Sequence, residues 1–296
     1  MIDPMKLWKD SVSTGIRLIT KVFWKGEPET GIEIQHLENF PSAQLGREVR
    51  ISVFLPPRYF ERNKHYPVLY FNDGQDMEMA RMANTLERLY AAQLLRQIVV
   101  VAIHAGDRIQ EYGTAGRADY KNRGIKADAY QCFILQELIP ALRKRYRLSD
   151  LPQDAAFAGF SLGGLSAFDI AWNHARYFSK VGVFSGALWW RSQAFTPENP
   201  DGHRIIHELV HESRKREGMR FWFQCGTNDE TDDRNGNGII DAIDDTLDLI
   251  RALKTKGYRE GHDITYVEVD GGEHNHHTWA KVLPDFLIWA FGKSQG

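Results

Sequence analysis

Residues 154–164 read DAAFAGFSLGG, and this stretch decides the fold. Asp154 to Phe160 is a short apolar run of the kind that forms a buried strand. Leu162 to Ala175 carries a helix pattern. Between them, Gly159-Phe160-Ser161-Leu162-Gly163 fits G-x-S-x-G and is followed by Gly164. Gly159 and Gly163 leave room for a sharp, strained turn that side chains would block. Such a turn lifts the Ser161 hydroxyl to the top of a sheet. It also sets the serine at a helix N-terminus, where the dipole favours developing negative charge. Ser161 is therefore the candidate nucleophile.

Outward from this junction, strand and helix alternate. Upstream, Gly46 to Pro57, Tyr66 to Asn72 and Gln97 to His104 read as strands, and Ala129 to Tyr146 as a helix with basic residues near its end. Downstream, Lys180 to Ser185, Met219 to Cys225 and Asp263 to Asp270 read as strands. Ile240 to Lys256 reads as a helix that stops at Gly257, and Thr278 to Phe291 as a closing amphipathic helix. An opening β region followed by β-α alternation implies an α/β fold with a mostly parallel central sheet and helices on both faces. No linker divides the chain. We expect one domain over 1–296, with an N-terminal strand region at 1–45. Ligands of such sheets sit outside the carboxyl ends of the strands.

A serine hydroxyl needs a base to take its proton, and the base needs a carboxylate to orient it. The order in such a fold is serine, acid, histidine. Met219 to Cys225 runs into Gly226-Thr227-Asn228-Asp229-Glu230, which makes Asp229 the expected acid, with Glu230 its nearest competitor. The strand ending at Asp270 runs into Gly271-Gly272-Glu273-His274, which makes His274 the expected base ahead of His276 and His277. Two donors are needed for the oxyanion. The Leu162 N–H follows the nucleophile. The Gln75 N–H follows the Asp73-Gly74 turn at the end of an earlier strand.

These residues resemble a known family, the esterase D and enterochelin-esterase-like branch of the α/β-hydrolases, which includes feruloyl esterases. The resemblance runs from about Ser42 to Phe291. It is carried by LGREVRISVFLPPRY (45–59), YFNDGQD (70–76), GFSLGG (159–164), VFSGALWW (183–190), CGTNDE (225–230) and GGEHNHHTW (271–279). It implies a serine esterase with the α/β-hydrolase fold. Its triad falls on Ser161, Asp229 and His274, and an oxyanion N–H on Gln75. Trp189 and Trp190 resemble a tryptophan pair near the site in enterochelin-esterase relatives. The separate N-terminal binding domain of the full enterochelin esterases has no counterpart here, so a catecholate siderophore substrate is not implied. The basic segment Gly106 to Lys126 is a candidate overhang that selects substrate through Arg108 or Tyr112, or else a solvated loop.

Asp233-Arg-Asn235-Gly-Asn237-Gly238-Ile239-Ile240-Asp241-Ala-Ile-Asp244 follows the EF-hand loop rule. Oxygen side chains fall at Asp233, Asn235 and Asn237, and Gly238 supplies the turn. Ile239 offers a carbonyl, Asp241 acts through water, and Asp244 closes the shell where an EF-hand has glutamate. We expect a structural Ca2+ ion in this 233–244 insertion and no cofactor for catalysis. His207-Glu208-Leu209-Val210-His211, with His203 on the same face, matches the H-E-x-x-H zinc-peptidase signature, without a third ligand at the usual spacing.

The 296 residues carry a net charge of −2, with 43% hydrophobic and 26% charged residues. That balance argues against nucleic acid or an acidic membrane surface as partner. Cys132 and Cys225 lie in apolar stretches and do not form a metal-type pair. No apolar run approaches the roughly 20 residues that span a bilayer. Met1 to Arg17 lacks the order of a signal peptide, so the chain as given reads as cytoplasmic; a secreted form with its signal removed would look the same. Met1 to Pro4 has the character of a tag remnant, with Met5 as the native start. The expectation is hydrolysis of a small-molecule carboxylic ester, without nucleic-acid or membrane partners. An acyltransferase on the same site is the nearest rival, and a zinc metallopeptidase using His207 and His211 the more distant one. Oligomeric state is left open by the sequence.

Overall fold

The computed structural model describes residues 22–23 and 31–293. The readings made on 1–21, including the Met1 to Arg17 segment and the start at Met5, and most of the 1–45 strand region up to residue 30, lie outside the described residues.

One nine-stranded sheet organises the chain. Its strands are β1 (Val22–Phe23), β2 (Glu33–Ser42), β3 (Arg47–Leu55), β4 (Val68–Asn72), β5 (Val99–Ile103), β6 (Ala155–Phe160), β7 (Lys180–Phe184), β8 (Arg220–Asn228) and β9 (Ile264–Glu273). They lie side by side in the order β1-β2-β3-β5-β4-β6-β7-β8-β9. The first three strands and the β3–β5 pairing are antiparallel. From β5 to β9 every pairing is parallel. The long crossovers that parallel strands require are supplied by helices.

Those helices are α1 (Met82–Ala91), α2 (Arg108–Glu111), α3 (Ala127–Cys132), α4 (Ile139–Arg145), α5 (Ser161–Asn173), α6 (Ile205–Glu212), α7 (Asp241–Thr255) and α8 (His276–Phe291). Successive strand residues point to opposite faces, and the core divides accordingly. On one face Val99, Val101, Phe157, Val181 and Phe221 pack with Leu165, Phe168, Leu249 and Leu253 of α5 and α7. On the other, Leu69, Phe71, Val100, Ala156 and Trp222 pack with Leu86 of α1 and Leu283, Phe286 and Leu287 of α8. This is the doubly covered, mostly parallel sheet expected from the sequence, of the α/β-hydrolase type.

Two local differences from the sequence reading have physical causes. The helix expected over 129–146 is broken between α3 and α4 by a π-helical stretch, Phe133–Leu138. Pro140 sits in the first turn of α4 and has no N–H to donate. The Ile139 N–H instead reaches back five residues to the Ile134 carbonyl. The last strand continues to Glu273 rather than ending at Asp270. Its register against β8 shifts between Gly226 and Asn228, so the glycine pair 271–272 lies inside the strand.

Candidate active site

The turn from β6 into α5 is strained where the motif requires it. Ser161 has φ +51°, a left-handed conformation that non-glycine residues rarely adopt. The two glycines flanking it are there for contact. A Cβ on Gly159 would stand 2.4 Å from the Gly163 carbonyl oxygen, and one on Gly163 would stand 2.6 Å from Asp73 Oδ2. The strand end and the first helical turn are therefore folded against each other and against the end of β4. Leu162 is the second residue of α5. Its N–H is among the first four of the helix, which have no partner within it.

The end of β4 is locked to this turn. Asn72 Nδ2 donates to the Gly163 carbonyl at 2.8 Å, and Tyr130 Oη donates to Asn72 Oδ1 at 2.6 Å. Asp73 is fully buried, with φ +59°. Arg108 holds its carboxylate bidentately at 2.8 and 2.9 Å, and Arg108 Nη2 also donates to the Phe160 carbonyl at 3.2 Å. Gln75 lies in the short helical turn Gly74–Asp76 that follows. Its side chain donates to Asp73 Oδ1 and accepts the Ala105 N–H, which fixes the turn.

Asp229 directly follows β8, and His274 directly follows β9. Because β6 to β9 run parallel, Ser161, Asp229 and His274 share one edge of the sheet. Gly226 permits the close approach: a Cβ there would stand 2.3 Å from the Gly272 carbonyl oxygen. Asp229 is buried, with its carboxylate facing the Gly226 backbone, the Ser185 hydroxyl and the His274 ring. Burial raises its pKa, while the Gly226 backbone, the Ser185 hydroxyl and the His274 ring pull the other way. His274 is held below the usual histidine value, by partial burial first. Asp229 raises it and the Arg108 guanidinium lowers it again. Acid, imidazole and Arg108 thus lie within electrostatic reach of one another. In an empty site such contacts are often long and tighten only around a substrate.

Of the competing residues, Glu230 faces other acids, whereas His276 stays beside the elbow, its ring edge-on to Phe160 at 6.0 Å. Burial pushes the Glu230 carboxyl up to about 7, and Asp241, Asp232 and Asp245 add to this, so it faces the acidic loop. His276 packs edge-on against Trp279 at 5.0 Å and lies 3.3 Å from Asp76. His277 is exposed.

Four supporting residues were not singled out from sequence: Asn72, Asp73, Ser185 and Trp279. Trp279 stacks on Phe160 at 4.6 Å, meets the His274 ring edge-on at 5.3 Å, and donates to Ser185 Oγ at 2.9 Å. The signal was present in the strings YFND, VFSG and HHTW, as polar or aromatic residues beside strand ends.

The 106–126 segment is not a solvated loop. It contains α2, and Tyr112, Thr114 and Asp119 are buried within it. Tyr112 has no exposed surface, and its hydroxyl accepts the Asp73 N–H at 3.0 Å. It supports the β4 turn and presents nothing to a ligand. Trp190 is likewise fully buried, while Trp189 is half-buried. The Arg123 guanidinium lies over both rings, at 5.1 and 4.9 Å. The Ala187 N–H donates to the Ser161 carbonyl at 3.1 Å, which places this tryptophan segment beside the elbow.

In the acidic loop, Asn235 Nδ2 and Asn237 Nδ2 converge on Asp244 Oδ2 at 2.8 and 3.1 Å. Asp233 accepts the N–H groups of Asn237 and Gly238. Asp241 accepts the Arg234 N–H at 2.9 Å and opens α7. Ile239 is exposed at the tip. Among the described residues, three carboxylates whose oxygens lie within 4.8 Å of one another combine Asp244 with Asp201 and Asp248, two residues outside the loop. Arg204, Arg234 and Arg251 partly neutralise these acids.

The H-E-x-x-H residues do not converge. His207 is buried, its Nε2 lies 2.8 Å from the Asp245 carbonyl, and burial holds its pKa well below the usual value. Glu208 pairs with Arg117 at 2.6 Å. Among the described residues, His203, His207, Glu208 and His211 do not form a three-ligand group. No helix among them is long and apolar enough to cross a membrane.

Comparisons with known proteins identify a family and a fold. A family model described as putative esterase matches residues 42–290. A solved ferulic acid esterase superposes with a TM-score of 0.65 at 20% identity, covering 88% of this chain and 97% of that one. Enterochelin esterase from Shigella flexneri superposes with a TM-score of 0.68 at 21% identity, covering 87% of this chain and 57% of that one. In sequence, the diacylglycerol acyltransferase/mycolyltransferase Ag85A of Mycobacterium leprae (strain TN) is 22% identical, covering 86% of this chain and 82% of the relative.

Proposed function

The chain belongs to the putative esterase family, and on that premise we propose that this carboxylic ester hydrolase works through an acyl-enzyme on Ser161. The strained φ of +51° at Ser161, at the start of α5, is the observation that carries the reading. A left-handed serine at a strand-helix turn presents its hydroxyl outward and needs close packing to hold it there.

Ser161 Oγ attacks the ester carbonyl as His274 takes its proton. The oxyanion is met by the N–H groups of Leu162 and Gln75. His274 returns the proton to the leaving alcohol, and water then repeats the sequence to release the acid. Asp229 keeps the imidazole in the useful tautomer and stabilises its charged form. Trp189 and Arg108 border the bound ester, with Trp190 and Tyr112 behind them as support. Replacing Ser161 by Ala tests this: hydrolysis of p-nitrophenyl acetate should fall to background, and activity within tenfold of wild type would discard the nucleophile.

The likeness to a mycolyltransferase favours a second reading, in which an alcohol replaces water in the deacylation step. Product analysis in the presence of a primary alcohol separates the two, because a transferase yields the new ester in excess over free acid.

We also propose a structural Ca2+ site on Asp233, Asn235, Asn237, Ile239, Asp241 and Asp244. The donor set fits a hard cation, being all carboxylate, amide and carbonyl oxygen. Asn235 Oδ1 and Asn237 Oδ1 accept the Asn237 and Ile239 N–H groups at 3.1 and 2.8 Å, and each oxygen keeps a second lone pair. A bound ion would neutralise the crowded acids and fix the segment that follows Asp229. It would take no part in the chemistry.

A further inference from the structure

A second polar chain lies on β2, β3 and the end of β5, separated from the β6 elbow by β4. His36 Nδ1 is 3.0 Å from Ser52 Oγ, and Ser52 Oγ is 2.8 Å from His104 Nε2. Ser52 is buried, on β3. Burial and the Arg50 guanidinium hold both histidines below their usual pKa, His104 down to about 4. Both rings are therefore neutral at pH 7, each with one N–H and one lone pair. The serine has one proton to give, so the chain runs in one direction or the other. In either direction one outer ring nitrogen is left as a donor and the other as an acceptor. Neither outer nitrogen, His36 Nε2 or His104 Nδ1, bonds to another group among the described residues.

These residues wall a cavity of about 520 Å³, within the range of small-molecule sites. Ile34, Phe54 and Met77 give it apolar surface, and Arg50 and Arg81 bring two guanidiniums. Glu78 also lines it, and Arg50 is paired with Glu38 at 3.1 Å. Arg81 is exposed and has no ion pair among the described residues. The cavity reaches the oxyanion turn itself, because Gly74 and Gln75 line it. His104 presses on that turn so closely that a Cβ on Gly74 would stand 2.7 Å from its ring.

We propose that this cavity is the subsite for the far end of the acyl group, and that the substrate is an ester whose acid part carries a second, ionised carboxylate. The inference rests on the hydrolytic reading of Ser161. The acyl chain would pass the Gln75 turn, lie along Phe54 and Met77 past the His36–Ser52–His104 chain, and end at Arg81.

The test compares p-nitrophenyl hydrogen glutarate with p-nitrophenyl valerate, which have acyl chains of equal length and differ in the terminal charge. Wild-type enzyme should show kcat/KM higher for the glutarate by about two- to fivefold, as suits an exposed charge pair, with the preference shrinking as salt is added. Arg81→Glu should abolish or reverse that preference, read as the ratio of kcat/KM for the two esters; the side chain is exposed, so the fold should survive. Equal rates on the two esters in wild type, or a preference that Arg81→Glu leaves intact, overturns the subsite alone. Failure to hydrolyse either ester overturns the hydrolytic reading and the subsite with it.

Discussion

Replacing Asp229 by Asn should slow the enzyme and stabilise it at the same time. The carboxylate is buried, and burial outweighs its contacts with the Gly226 backbone and the Ser185 hydroxyl, so its pKa is raised. A buried carboxylate whose hydrogen bonds do not offset its desolvation costs on the order of 1–3 kcal/mol. For a chain of this size a gain of 1 kcal/mol moves the melting temperature by about 2 °C. Asp229→Asn should therefore melt about 2–6 °C higher at pH 8. The sign depends on pH. The folded pKa lies above the ordinary value of 3.8, so wild type loses stability as pH rises from that value through the folded one. The advantage of Asn should be full above the raised folded pKa and absent below about pH 4. Catalysis should move the other way, because an amide no longer favours the useful tautomer or the charged imidazole. A fall in kcat of about 10³–10⁴ is expected, roughly 4–5.5 kcal/mol on the barrier. The assays are p-nitrophenyl acetate hydrolysis and scanning calorimetry across pH. A kcat within threefold of wild type, or a lower melting temperature at pH 8, would refute the reasoning. Glu230→Gln is the control and should keep kcat within about threefold, since Glu230 faces Asp232 and Asp241.

Three further outcomes follow from the same geometry. Arg108→Gln removes a cation that lowers the His274 pKa, so the acidic limb of the kcat/KM profile should move to higher pH; an unmoved limb would separate Arg108 from the base. Gly159→Ala places a Cβ 2.4 Å from a backbone oxygen, which no side-chain movement relieves. It should cost about 3 kcal/mol or more in urea denaturation, and a variant of unchanged stability would contradict the packing of the elbow. Ca2+ should raise the melting temperature of wild type but not of Asp233→Ala, and no shift in wild type would discard the ion site.

The elbow was legible in sequence because its constraint is local: the two glycines flank Ser161 within five residues. The placement of Asp229 and His274 at strand ends was legible because apolar runs end visibly at polar, glycine-bearing segments. What holds these residues was not legible, because it depends on contacts distant in sequence. Trp279 reaches Ser185 and Phe160 only after β6, β7 and α8 have packed. Asp73 meets Arg108 and Tyr112 across a crossover, and Tyr112 reads as a substrate contact until that partner is seen. The break before α4 was written in Pro140, but helix-period apolar residues on either side outweighed it. Nothing in the spacing of His36, Ser52 and His104 predicts their meeting, since it depends on the register of β2, β3 and β5.

Covalent labelling with a fluorophosphonate tests the central claim most directly. Intact mass and peptide mapping should show a single adduct, on the peptide containing Ser161. It should be lost in Ser161→Ala and form at least a hundredfold more slowly in His274→Ala. An adduct on another residue, or one that persists in Ser161→Ala, would contradict the account.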